Sequence, residues 1–293
     1  MNKLHLSAAA CAFMLATSVS GLTVTQTTDG TTLGTALGGG GGLTIDSASV
    51  TNGAAVQFGT FTGFTSPPVI SADGIVLSSG KAVETTADSY SFLNFPSTNT
   101  GQPGTPEFDA YGPGHITNFN NSNDVAALMV SFTLSSASQV GFDFIFGSVE
   151  YPTFVGTFTD SFLAFLDGTA VADQIVFDAS NQAVQVGTTF SDALTTADTN
   201  SAFQDPHGLV QLQTFTNTLS AGSHTIVFEV GDVNDHILDS AAFISNLHAG
   251  PGIVGTNPPG TTDSSVPEPG TLGLLGAGLA CLIAGRRGRR LRP

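Results

Sequence analysis

Between residues 128 and 146 apolar and polar side chains alternate with a period of two, and that alternation constrains the fold more than any other feature of the chain. Leu128, Val130, Phe132 and Leu134 share one parity, with Ser131 and Thr133 on the other; Val140, Phe142, Phe144 and Phe146 repeat the pattern with Gly141 and Asp143 opposite. Successive strand side chains point to opposite faces, whereas a helical stripe recurs every 3.6 residues, so these segments are half-buried antiparallel strands. The same reading predicts strands over Ser161–Leu166, Ile175–Phe177, Leu209–Phe215, His224–Val230 and Ala241–Leu247. Shorter ones are expected over Leu43–Ile45, Ala55–Phe58 and Gly74–Leu77, with Gly, Asn, Asp and Ser clusters as turns. Many short strands with scarcely any helical period predict an all-β chain: two packed antiparallel sheets in a jelly-roll-like β-sandwich. The 22 phenylalanines and absence of tryptophan suit its core, since phenylalanine fills the space between sheets without a polar atom that needs a partner.

Charge narrows the function. The chain of 293 residues carries 23 acids against 7 Lys plus Arg, a formal charge of -16. Lys81 is the only basic residue between Leu22 and Ser265, a stretch that holds 22 of the 23 acids and so carries 1 minus 22, or -21. No basic face exists to neutralise phosphates, which excludes nucleic acid as a partner. Such a surface repels anionic lipid and attracts cations.

The two ends read as targeting segments. Residues 1–21 have a signal peptide's form, with Lys3 as the charged start, Leu6 to Ala16 as the apolar run and small residues before Leu22. Residues 22–249 then form one exported domain, and 250–265 a Gly/Pro/Ser/Thr linker. Thr271 to Gly285 is apolar and uncharged, about 22 Å long as a helix against a hydrocarbon core of about 30 Å. Arg286, Arg287, Arg289, Arg290 and Arg292 follow it as a cytoplasmic stop, so a single C-terminal transmembrane helix is expected, seated in the inner membrane. Cys11 and Cys281 fall in these two segments, which leaves the exported part without a disulfide.

Just before the apolar run stand Val266, Pro267, Glu268 and Pro269, whose prolines break helix and hold an accessible extended strand. The order Pro-Glu-Pro, apolar helix, arginine cluster over 266–293 resembles the PEP-CTERM sorting signal of Gram-negative bacteria. The resemblance implies processing near the motif by an exosortase, a membrane protease-transferase, and delivery to the cell surface or an extracellular polymer matrix, as in biofilm. A second resemblance covers nearly all of Leu22 to His248. The run FIFGSVEYPTFVG (Phe144 to Gly156) with Asp160-Ser161-Phe162, the strings Asp73 to Gly80 and Asn123 to Leu128, and the closing Gly231-Asp232 and Leu238 to Phe243 are similar to the choice-of-anchor L domain. That family's members carry the domain on different C-terminal anchoring signals. Val149 and Thr153 stand where relatives commonly show acids.

Catalytic motifs are missing: there is no Gly-x-Ser-x-Gly elbow, no His-Glu-x-x-His helix and no cysteine nucleophile in the exported part, so no enzyme is expected. Glu150, Asp160, Asp232, Asp235 and Asp239 cluster at strand ends. Two readings of them stay open. They are ligands for calcium, a hard cation that takes six to eight oxygens, or they are solvated turn acids. The 232–239 loop is not an EF-hand, because Ile237 and Phe243 stand where its glycine and glutamate belong. The leading expectation is a structural or adhesive surface module in contact with extracellular polysaccharide or another surface polymer. A calcium-dependent carbohydrate-binding module and a matrix-polymer hydrolase are the alternatives, the last requiring a deep pocket with acids about 5 to 10 Å apart.

Overall fold

The computed structural model describes residues 21–65, 72–86, 95–178, 180–187, 200–204, 207–250 and 255–257. The expected signal peptide, most of the linker, Val266 to Pro269, the transmembrane helix and the arginine cluster lie outside these residues. Among the described residues no helix is long and apolar enough to cross a membrane.

Twelve strands are described: β1 (Thr23–Gln26), β2 (Leu43–Asn52), β3 (Phe58–Thr62), β4 (Gly74–Ser78), β5 (Ser122–Leu134), β6 (Val140–Ser148), β7 (Ser161–Leu166), β8 (Val184–Gln185), β9 (Gly208–Phe215), β10 (Gly222–Val233), β11 (Ser240–Ala249) and β12 (Gly255–Asn257). They form two sheets, ordered β1-β3-β4-β11-β6-β9-β12 and β2-β5-β10-β7-β8. Every pairing is antiparallel. Within them, β4-β11-β6-β9 faces β5-β10-β7-β8, so that the chain from β4 to β11 crosses repeatedly from one sheet to the other. This is the strand order of a double Greek key, the wiring of jelly rolls.

Period two produces the layers. The parity of Phe142, Phe144 and Phe146 on β6 meets that of Phe162 and Ala164 on β7 and Ile226, Phe228 and Val230 on β10 in one buried core. Phe142 meets Phe228 edge-on with ring centroids 5.1 Å apart, and Phe144 lies 4.9 Å from Phe162. The opposite parity is buried as well. Ile145 joins Phe61, Phe64, Phe203 and Phe243 outside the larger sheet, and Ala127, Leu163, Phe165 and Val227 join Phe108 and Tyr111 outside the smaller one.

Two helices interrupt the strands, α1 (Gly30–Leu37) and α2 (Pro106–Tyr111). Asp29 caps α1 by accepting Thr32 N–H at 2.8 Å, and Leu33 and Leu37, one turn apart, are buried. The helix starts so close to β2 that a Cβ at Gly30 would fall 1.9 Å from the Ala48 carbonyl oxygen. Two expected strands are corrected. Ala55–Gln57 is a 3-10 turn held by Gln57, whose Oε1 accepts Ala54 N–H at 2.7 Å and whose Nε2 donates to the Ser78 and Ser79 carbonyls at 3.0 Å. Over Ile175 to Phe177 only Phe177 makes a single bridge, to Ala183, and the preceding Gln174 makes another to Phe165.

Candidate functional site

The core-facing rows all become polar at the same end of the sandwich. Continuing by twos, Leu77 leads to Ser79, Phe146 to Ser148 and Glu150, Val230 to Asp232, while Asp160 precedes Phe162 and Ser240 precedes Ala242. The alternation that builds the core therefore carries three carboxylates into the gap between the sheets. Ser148 and Ser240 are paired across β6 and β11, and Ser78 pairs with Ala241, so a band of serines closes the larger sheet there.

Glu150, Asp160 and Asp232 are 0% exposed and Asp239 is 1% exposed. Asp160 is the best supplied, accepting Ser240 Oγ at 2.7 Å and Val233 N–H at 3.0 Å. Asp239 accepts Thr98 N–H at 2.6 Å through Oδ1, and its own N–H donates to the Pro96 carbonyl at 3.0 Å. Five carboxylate oxygens have no hydrogen-bond donor: both of Glu150, both of Asp232, and Oδ2 of Asp239. The Ser79 hydroxyl pulls the Asp232 carboxyl down, while its Oγ also accepts Ser240 N–H at 3.0 Å and lies 3.4 Å from the Ser240 carbonyl. The Asp239 carboxylate rests on Gly80, where a Cβ would come within 1.7 Å of Oδ2, so no larger residue fits beneath it.

Burial dominates the electrostatics. It pushes the Glu150 carboxyl up to about 11, with Asp160 and Asp235 adding repulsion. It raises Asp160 to about 8 against the pull of Ser240 and Val233, and Asp239 to about 7 against the pull of Thr98 N–H. Asp232 is held well above the ordinary range by burial and then by Asp160, with Asp239 and Glu150 contributing. Asp235 is half-buried at the rim, where Ile237 N–H donates to it at 3.3 Å, and burial raises it too. The one lysine of the exported part, Lys81, pairs with Glu84 at 2.8 Å, and Thr98 Oγ1 donates to the other Glu84 oxygen at 3.0 Å. The charge and the backbone N–H of Lys81 both draw the Asp239 carboxyl down, against the larger effect of burial.

Of the five acids expected from sequence, Glu150, Asp160, Asp232 and Asp239 converge and Asp235 borders them. The solvated-turn reading is thereby corrected for the four, since they face inward. Among the described residues no three Asp, Glu, His or Cys side chains surround one point at metal-ligating distance. A cation here would therefore be held by a carboxylate pair with hydroxyl and carbonyl oxygens from the serine band. The sequence reading missed that band and also missed Asp124, a buried residue at φ 46° in a β5 bulge. Asp124 accepts Thr100 Oγ1 at 2.7 Å, Gln102 N–H at 2.7 Å and His236 Nδ1 at 3.0 Å, and so ties the 95–105 segment over the carboxylates. A cleft of about 500 Å³ at a different place is lined by Phe177, Phe215, Asn181 and Asn217 among others.

The family model of the choice-of-anchor L domain matches residues 23–247, and that of the PEP-CTERM protein-sorting motif matches residues 265–290. No curated protein and no solved structure matches the chain.

Proposed function

Because the chain belongs to the choice-of-anchor L family, we propose that it is a non-catalytic surface module, stabilised by calcium at its buried carboxylates and presented to extracellular polymer after sorting. The PEP-CTERM motif implies processing by an exosortase-type enzyme, and with the domain it implies an exported, cell-surface protein. The observation that carries the reading is the order of the two segments, with the sorting motif beginning 18 residues after the domain's last matched residue, 265 against 247. In this account the apolar run to Gly285 holds the chain in the inner membrane while the arginines stay cytoplasmic, until the enzyme acts near Pro267 to Pro269.

Calcium is supported by the five donorless oxygens, since an extracellular cation would supply positive charge that Lys81, paired with Glu84, lends only to Asp239. The non-catalytic reading is favoured over a matrix hydrolase because Glu150 and Asp160, the acids such a hydrolase would use, are 0% exposed. Carbohydrate binding is favoured by one separate observation, the cleft in which half-buried Phe177 and Phe215 stand beside the amides of Asn181 and Asn217. A glycan array read with calcium and with chelator tests it.

Sorting is tested by replacing Pro267, Glu268 and Pro269 with alanine and fractionating the cells. Full-length protein should then accumulate in the membrane fraction. A variant that reaches the surface in wild-type amount overturns the reading.

A further inference from the structure

A second buried carboxylate lies on the opposite face of β10. Glu229 is 0% exposed, among Ala127, Leu163, Phe165 and Val227 in the apolar layer that α2 covers. Its Oε2 accepts Thr105 Oγ1 at 3.0 Å, and its Oε1 has no donor. Thr105 is also the N-cap of α2, accepting Phe108 N–H at 3.3 Å, so its single proton is spent on Oε2. The charged groups that act on Glu229 are acids. The Glu107 carboxyl from α2 lies against Glu229, and Asp109 stands behind it, one oxygen taken by Ser122 N–H at 2.9 Å and Ser122 Oγ at 2.8 Å. Burial first and Glu107 next push the Glu229 carboxyl well above its ordinary range.

We propose that Glu229 and Glu107, with the Thr105 hydroxyl, form a second site for a hard divalent cation of the calcium class, under α2 on the outer face of the smaller sheet. Neutralisation has to come from solution, because Lys81 is bound to Glu84 and no other Lys or Arg lies between Leu22 and Gly285. The site borders solvent on the α2 side, where Glu107 is half-buried and Asp109 is exposed. Two carboxylates and a hydroxyl leave coordination positions for water, which calcium accepts. The site rests on observations separate from those at the Glu150 to Asp239 end, and it can hold where that one fails.

The test is equilibrium dialysis of the detergent-solubilised full chain against radiolabelled calcium, with far-UV circular dichroism to verify folding. The wild type should bind two ions, Glu229→Gln one, and Asp232→Asn one, the last retaining the ion that Glu229→Gln loses. Glu107→Gln, altered on the half-exposed side, should weaken the same ion at least tenfold, and carries the test if Glu229→Gln does not fold. Binding in Glu229→Gln and Glu107→Gln equal to wild type, or no binding by the wild type, overturns the site and leaves a proton shared between the two glutamates. An ion lost only in Asp232→Asn overturns this site while leaving the other standing.

Discussion

Asp160 has two hydrogen-bond donors and Asp232, beside it, has none, so isosteric removal of charge should act oppositely at the two positions. In chelator at pH 8, Asp232→Asn replaces an unpartnered buried carboxylate with an amide able to donate to Asp160. It should stabilise by about 1 kcal/mol, a rise of about 2–4 °C in Tm. Asp160→Asn gives up charge-assisted bonds from Ser240 and Val233 and should not stabilise. Both should remove this site's share of the calcium-induced rise in Tm, which for one site at about 100 times the dissociation constant is about 5–10 °C. Differential scanning calorimetry with calcium and with chelator reads all of these, and a full calcium shift in both variants removes the metal from this site.

At the scale of elements, one hydroxyl at the start of α2, that of Thr105, serves both the helix cap and Glu229 of the smaller sheet. Thr105→Ala removes the helix cap and strips Glu229 of its only donor, and should cost about 2–4 kcal/mol, read as a lower urea midpoint. Thr105→Ser should recover most of that loss. The strands were legible wherever alternation ran long enough to fix parity, as on β5, β6 and β10. Ala55 to Phe58 has strand-like residues, but Gln57 uses its side chain to close a turn, a contact with Ser78 and Ser79 that local sequence does not contain. α1 left only a faint trace, Asp29 before Leu33 and Leu37, diluted by glycine and threonine. The acids were legible as a group at strand ends, but their direction was not. An aspartate at a strand end usually turns to water, and only the stacking of both sheets shows that Asp160 and Asp232 extend the core rows. Glu229 gave no signal, because a lone acid on an alternating strand reads as a solvent-facing position until α2 covers it.

For the whole molecule these buried acids set the sign of its pH response. Their folded pKa values lie above the ordinary carboxylate value of about 4, so between that value and the folded ones the native state holds more protons than the unfolded chain. Stability in chelator should therefore rise as pH falls from about 8 to about 5, the reverse of acid denaturation. Calcium competes with those protons, so the stabilisation it gives should grow with pH. Denaturant melts at pH 5, 6.5 and 8 with and without calcium check both, and a chelator curve that climbs with pH contradicts them. The wiring of the larger sheet has a different consequence. β11 lies between β4 and β6, pairing Ile244 with Ile75 across most of the domain's length. Its central strand is thus the last of the eight to be synthesised. A chain that ends ahead of β11 therefore lacks the one strand that bridges β4 to β6, and with it the hydrogen-bonded continuity of the larger sheet.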